Sequence, residues 1–127
     1  MVLVHLLGHG LGHASWDKPE DVKMQEVINL MKGYKSTFMG ATKSMADYYN
    51  GYSLILFLVY TMTIAILWFA SGFIEHQKSI AVKILYPIAI TYLAFAGIEY
   101  LYFFPFAASV SFLAGLLTLL SITIVKN

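Results

Sequence analysis

The chain has 127 residues, of which 59% are hydrophobic and 12% charged, and a net charge of +1. Soluble domains carry about 25% charged residues, so the deficit points to the membrane class, and near-neutrality excludes the basic stripe that nucleic acid requires. Cysteine is absent, which excludes structural disulfides, thiolate metal sites and thiol redox chemistry.

The first segment, Met1 to Trp16, is apolar and glycine-rich, with histidines at His5, His9 and His13. At ~1.5 Å per residue it reaches only about 24 Å as a helix. It reads as a fourth, short span, or as a full span whose N-terminal part is missing. A signal peptide fits poorly, because a basic leading region is lacking and histidines interrupt the apolar core. Residues four apart share a helix face, so the three imidazoles form one stripe. Gly8 and Gly12 form a small-xxx-small pair that favours close helix packing.

Residues 17–51 form an amphipathic, extramembrane stretch. Asp17 is the expected helix cap, with Pro19 in the first turn and Glu20 at the capping-box position. Met24, Val27, Ile28 and Met31 recur at the i, i+3, i+4, i+7 spacing, with Glu20, Lys23, Glu26 and Lys32 on the other face. Such a helix lies on the membrane interface or folds over the mouth of the bundle. Phe38, Ala41, Met45 and Tyr49 continue the helical spacing to Asn50-Gly51.

Three stretches then reach bilayer length, about 20 residues for roughly 30 Å of hydrocarbon. They are Tyr52–Ile74, Ile84–Phe104 (interrupted by Glu99) and Phe106–Val125. Pro87 is expected in the first turn of its helix, where a missing N–H costs little. Pro105 separates the last two spans, and the short link between them makes an antiparallel hairpin. Glu75 and His76 read as the interfacial end of the preceding span. The fold class expected is an all-α membrane protein of one transmembrane domain, 1–127. Its spans are about 1–16, 52–74, 84–104 and 106–125, arranged as an antiparallel four-helix bundle. By the positive-inside rule Lys78, Lys83 and Lys126 are expected to put both termini inside and the long loop outside, although a raw count of the five Lys in that loop, balanced by five acids, would reverse the orientation.

An intramembrane carboxylate is expensive and normally finds a partner inside the bundle. In an up-down bundle, Glu99 and His9 fall at similar depth on one side. The expected pair is therefore His9–Glu99, with His13, Asp47, Tyr48 and Tyr100 as neighbours. Three readings of that pair stand open. It is a polar clasp that sets helix register, a proton-handling or small-ligand site, or part of a haem or metal site. No metal and no cofactor is expected, because a stripe of three histidines on one helix does not converge on one ion without help. Met24, Met31, Met39 and Met45 suit ordinary helix-face packing better than Cu(I). No nucleophile elbow, phosphate loop or dinucleotide fingerprint is present, and Ser53, Ser109 and Ser111 have no assembled acid–base partner in the sequence. The aromatics Trp16, Tyr48, Tyr49, Tyr52, Tyr100, Tyr102 and Phe104 form an interfacial belt.

The run "GHGLGH" at residues 8–13 and "FMGATKSMADYYNGYS" at 38–53, followed by three short-linked spans, resembles a family of small uncharacterised bacterial integral membrane proteins with four predicted transmembrane helices. In that pattern a small-residue and histidine motif marks the first helix. An Asp-aromatic-aromatic-x-Gly-aromatic segment, here Asp47, Tyr48, Tyr49, Gly51 and Tyr52, leads into the second. The resemblance implies four spans and a bacterial inner membrane, covers nearly the whole chain, and carries no activity. This chain starts late in the first helix of the pattern. The expected function is a non-enzymatic membrane component with a polar pocket lined by His9, His13, Asp47 and Glu99 that binds a small ligand or handles protons. The alternative is a membrane enzyme or redox subunit using the histidines as haem or metal ligands or proton donors. The expected partners are the lipid bilayer and, left open, a second copy or another membrane protein.

Overall fold

The computed structural model describes residues 1–74 and 76–126. The expectation for Glu75 lies outside them, and His76 is an exposed turn residue. Among the described residues the elements are α1 (Val2–Ser15), α2 (Val22–Gly33), β1 (Lys35–Phe38), β2 (Ala41–Ser44), α3 (Met45–Phe73), α4 (Lys78–Tyr102) and α5 (Pro105–Lys126). The chain divides into two compact units, Met1–Leu6 with Tyr60–Asn127 and Leu7–Val59; each is described by itself.

The helices α3, α4 and α5 are long and apolar enough to cross a membrane. Their outward residues fit that solvent: Trp68, Phe69, Ile90, Leu101 and Ile124 are all exposed. In water such surface would carry a large hydrophobic penalty, whereas lipid removes it. The 14 residues of α1 span about 21 Å, which is short of the hydrocarbon core.

In the first unit, α4 and α5 form the antiparallel hairpin expected from Pro105, which occupies the first position of α5. Val82 and Leu85 near the start of α4 meet Ile122 and Val125 near the end of α5. Leu67 of α3, Ile74 just past its end and Leu119 of α5 pack against the same cluster. Midway, Gly115 lets the two backbones approach. A Cβ there would lie 2.8 Å from Leu93 Cγ and 3.0 Å from the Ala89 carbonyl oxygen. A near approach of this kind is a means by which membrane helices gain dispersion energy where no hydrophobic effect drives them together.

The start of α4 corrects the expected boundary at Ile84. The helix begins at Lys78, which leaves Pro87 in its interior and Lys83 inside the helix rather than in the loop. Propensity favours starting a helix just before a proline. Here packing prevails, because Ala81, Val82 and Leu85 are buried before Pro87 is reached.

The second unit holds most of α1, α2, the strands and the first half of α3. The helical reading of residues 38–49 fails for 38–44 and holds from Met45, where α3 begins. Lys35–Phe38 and Ala41–Ser44 form an antiparallel hairpin with Thr37 opposite Thr42, whose hydroxyls lie 2.9 Å apart. Met39 and Gly40 turn the chain with φ of 50° and 83°, the two left-handed residues of a primed two-residue turn. Phe38 and Ala41 misled by standing at helical spacing to Met45 and Tyr49, because nearly the whole hairpin is exposed and leaves no alternation of buried and polar positions to read.

Both expected helix starts move for identifiable reasons. Asp21, not Asp17, caps α2, its carboxylate accepting the Lys23 N–H at 3.0 Å. Asp17 is instead held by the Lys32 ammonium at 2.8 Å. The α3 helix starts at Met45, seven residues before the expected span (from Tyr52). Ser44 and Asp47 form a reciprocal cap there: Ser44 N–H donates to Asp47 Oδ2 at 2.9 Å, and Asp47 N–H donates to Ser44 Oγ at 3.1 Å. Two orphan amides are thereby satisfied, and helix runs through Asn50-Gly51 without a break.

Candidate functional site

The polar centre of the first unit is His5. Its Nε2 lies 3.3 Å from Glu99 Oε1, and its Nδ1 lies 3.1 Å from Ser111 Oγ. The ring of Tyr60 covers the imidazole at 4.6 Å between centroids. Tyr92 lies 6.5 Å beyond Tyr60, with Phe95 closing its other side. Four helices contribute: α1 brings the imidazole, α3 the Tyr60 ring, α4 Glu99 and Tyr92, and α5 the serine.

Local sequence explains why these groups converge. Tyr92, Ala96 and Glu99 recur at i, i+4, i+7, and all three are buried, so they share the inner face of α4. Ala108, Ser111, Thr118 and Ile122 give α5 a small, partly polar inner stripe, likewise buried. Thr118 returns its hydroxyl to the Ala114 carbonyl, and Ser109 bonds to Phe106, the usual fate of hydroxyls in helices. Ser111 differs, since it reaches across to another helix.

The connection Ser111–His5–Glu99 corrects the expectation that no serine has an assembled partner. It resembles the order of groups that activates a nucleophile. The hydroxyl, however, is fully enclosed at 0% exposure, which denies a substrate carbonyl any approach along its attack direction. Its chemistry is therefore that of a proton partner. With a neutral ring, Nε2–H donates to the carboxylate and Ser111 O–H donates to Nδ1. With an imidazolium, both ring N–H groups donate and Ser111 becomes the acceptor. A hydroxyl serves either way by rotating, so the imidazole changes charge without losing a bond. Glu99 Oε2 is buried without a hydrogen-bond partner among the described residues.

The expected pair thus shifts by one helical turn, from His9 to His5. Counting residues from a helix end fixes depth only to about one turn, roughly 5.4 Å. Ser111 decides between adjacent turns by supplying the second bond to the ring. His5 is the residue that sequence reasoning left out of the site, although it belonged to the recognised stripe; the buried faces of α4 and α5 were the signal that would have found it.

His9, His13 and Asp47 fall in the second unit and do different work. His9 Nε2 is 3.0 Å from both the carbonyl oxygen and the hydroxyl of Ser53, a contact between α1 and α3. His13 stands edge-on to Phe57 at 5.6 Å, and its Nδ1 is buried without a partner among the described residues. Asp47 is exposed and occupied by the α3 cap. Tyr100 is exposed as well. Among the described residues, a Cβ built on Gly8 or Gly12 meets no atom within 4 Å beyond its own helical turn; the contacting glycine of α1 is Gly10, 3.6 Å from the Phe57 ring.

At the end of α1, the Trp16 indole N–H donates to Asn50 Oδ1 at 3.1 Å, and the ring lies 4.6 Å from Tyr49. The Lys32 ammonium sits 5.8 Å above Trp16 while it holds Asp17. That ammonium keeps the exposed Asp17 carboxyl below the ordinary carboxylate range. Among the described residues no group of three or more His, Cys, Asp or Glu side chains is arranged to hold a metal ion.

Compared with known proteins, the chain matches no family model, no curated protein and no solved structure.

Proposed function

We propose that the protein is a non-enzymatic integral membrane component that carries an exchangeable proton on the buried His5–Glu99 pair. The observation that carries this reading is the imidazole held at both nitrogens, by a carboxylate 3.3 Å away and by a hydroxyl 3.1 Å away. A carboxylate inside a span is costly unless it is paired or neutralised. His5 supplies both remedies. It gives an ion pair when the proton sits on the ring, and a neutral hydrogen-bonded pair when the proton sits on Glu99. Among the described residues, Tyr60 from α3, Tyr92 from α4 and Ser111 from α5 face the pair. None of these supplies a competing positive charge, so the shared proton is the charge that balances Glu99.

In this reading α1 is a fourth, short span. The setting is the bacterial inner membrane implied by the resemblance to small four-span membrane proteins. His9 on Ser53 is a clasp that holds α1 to α3.

The test is a titration of the site in lipid nanodiscs, following the His5 ring nitrogens and the Glu99 carboxyl carbon by isotope-edited NMR. The two are expected to change together as coupled groups, and Glu99→Gln is expected to move the His5 transition. A His5 ring whose titration is the same in Glu99→Gln would overturn the reading.

A further inference from the structure

The hairpin breaks a local rule. Met39 occupies a left-handed position with φ of 50°, where glycine, asparagine or aspartate is the ordinary choice. It is also 90% exposed, so burial among the described residues does not offset the strain. Phe38 beside it and Tyr34 at the base of β1 are exposed too. A residue that is both strained and apolar at the tip of a turn points to a surrounding that rewards it.

Charge and position identify that surrounding. Residues 34–46 carry Lys35 and Lys43 and no acid. The next acid, Asp47, is engaged in the α3 cap. The hairpin passes straight into α3 at Met45. That helix has 29 residues, about 44 Å of length against roughly 30 Å of hydrocarbon. Its first turns carry the charged Asp47 and the polar Asn50, so the turns from Met45 to Gly51 belong to the headgroup layer, with Tyr48, Tyr49 and Tyr52 as interfacial aromatics. The hairpin is tethered to that layer by its own chain.

We propose that residues 35–44 form an interfacial anchor. Phe38 and Met39 enter the headgroup–acyl boundary of the bilayer that α3 crosses, and Lys35 and Lys43 attract the phosphates of anionic lipids. Apolar insertion and basic attraction reinforce one another at such a surface. The anchor stands independently of the proton-carrying pair, because its residues belong to the other compact unit and its argument uses neither His5 nor Glu99.

The chain has no cysteine, so Met39→Cys accepts a single nitroxide label. The labelled protein is placed at one copy per nanodisc, and its accessibility to oxygen and to a water-soluble nickel chelate is compared with a label at exposed Glu20→Cys. In discs containing phosphatidylglycerol, the label at residue 39 is expected to be several-fold less accessible to the chelate and more accessible to oxygen. Adding Lys35→Glu and Lys43→Glu should return it toward the Glu20 value. Equal chelate accessibility at the two sites would overturn the anchor. Protection that appears only at several copies per disc would also overturn it, because a second chain and not lipid would then cover the tip. A label at Thr42→Cys, on β2, reports through the same contrast if the turn itself tolerates no label.

Discussion

Replacing His5 by leucine removes both bonds of the imidazole while roughly keeping its volume. Glu99 Oε1 and Ser111 Oγ lose the partners that lie at 3.3 and 3.1 Å, and Glu99 Oε2 has no partner to begin with among the described residues. In a water-soluble protein, breaking a buried ion pair costs about 3–5 kcal/mol. In a membrane the unfolded reference state also finds partners, and interhelical polar contacts average about 0.6 kcal/mol with a maximum near 1.7. The membrane value applies to the pair itself, and each orphaned polar group adds about 1–3 kcal/mol. His5→Leu, which orphans two such groups, should therefore lose about 3 kcal/mol or more. Glu99→Leu should lose less, because it removes the charge that needed a partner and leaves only the ring polar. The double variant should be more stable than the sum of the single losses by about 1 kcal/mol or more, because it leaves no unpaired charge. The assay is equilibrium unfolding in mixed micelles followed by circular dichroism for the four proteins of the cycle. Losses that add to within about 0.3 kcal/mol, the scatter for independent sites, would refute the pairing.

At Gly115, alanine places a methyl group 2.8 Å from Leu93 and 3.0 Å from the Ala89 carbonyl oxygen, so Gly115→Ala should cost about 1–3 kcal/mol through overpacking in the same unfolding assay. Gly8→Ala and Gly12→Ala meet open space within the chain, and each should be neutral or stabilising by up to about 1 kcal/mol through helix propensity; a loss at either would show that another molecule packs there. Ser44→Ala removes one arm of the reciprocal cap and should cost about 0.5–2 kcal/mol, seen first as faster amide exchange over Met45–Tyr48. The Asp17–Lys32 pair contributes at pH values above the ordinary aspartate range, where the carboxyl is ionised in folded and unfolded chain alike. Because Lys32 lowers the folded value, that contribution fades as pH falls through it. The acid limb of stability should flatten in Lys32→Met, and the difference should shrink in high salt because the pair is exposed.

The sequence by itself determined what depends on solvent and on neighbouring residues in the chain. Long uncharged runs located three membrane-competent helices, since burying a charge in hydrocarbon is costly whatever the tertiary arrangement. Pro105 ended one helix and opened the next because a proline needs no partner for its missing N–H. The demand that Glu99 find a partner, and that a histidine of α1 supply it, was legible from composition alone. Tertiary structure decided which histidine. His5, His9 and His13 differ locally by nothing but one helical turn, and the hydroxyl of Ser111, distant in sequence, picks out the first. Tertiary packing also set the start of α4, where Ala81, Val82 and Leu85 hold turns that Pro87 would otherwise have left out. The hairpin at residues 35–44 escaped sequence reasoning for the opposite reason. With almost no residue buried, it has no inner face, and a pattern can be read only where one side of an element is shielded from its surroundings and the other is not.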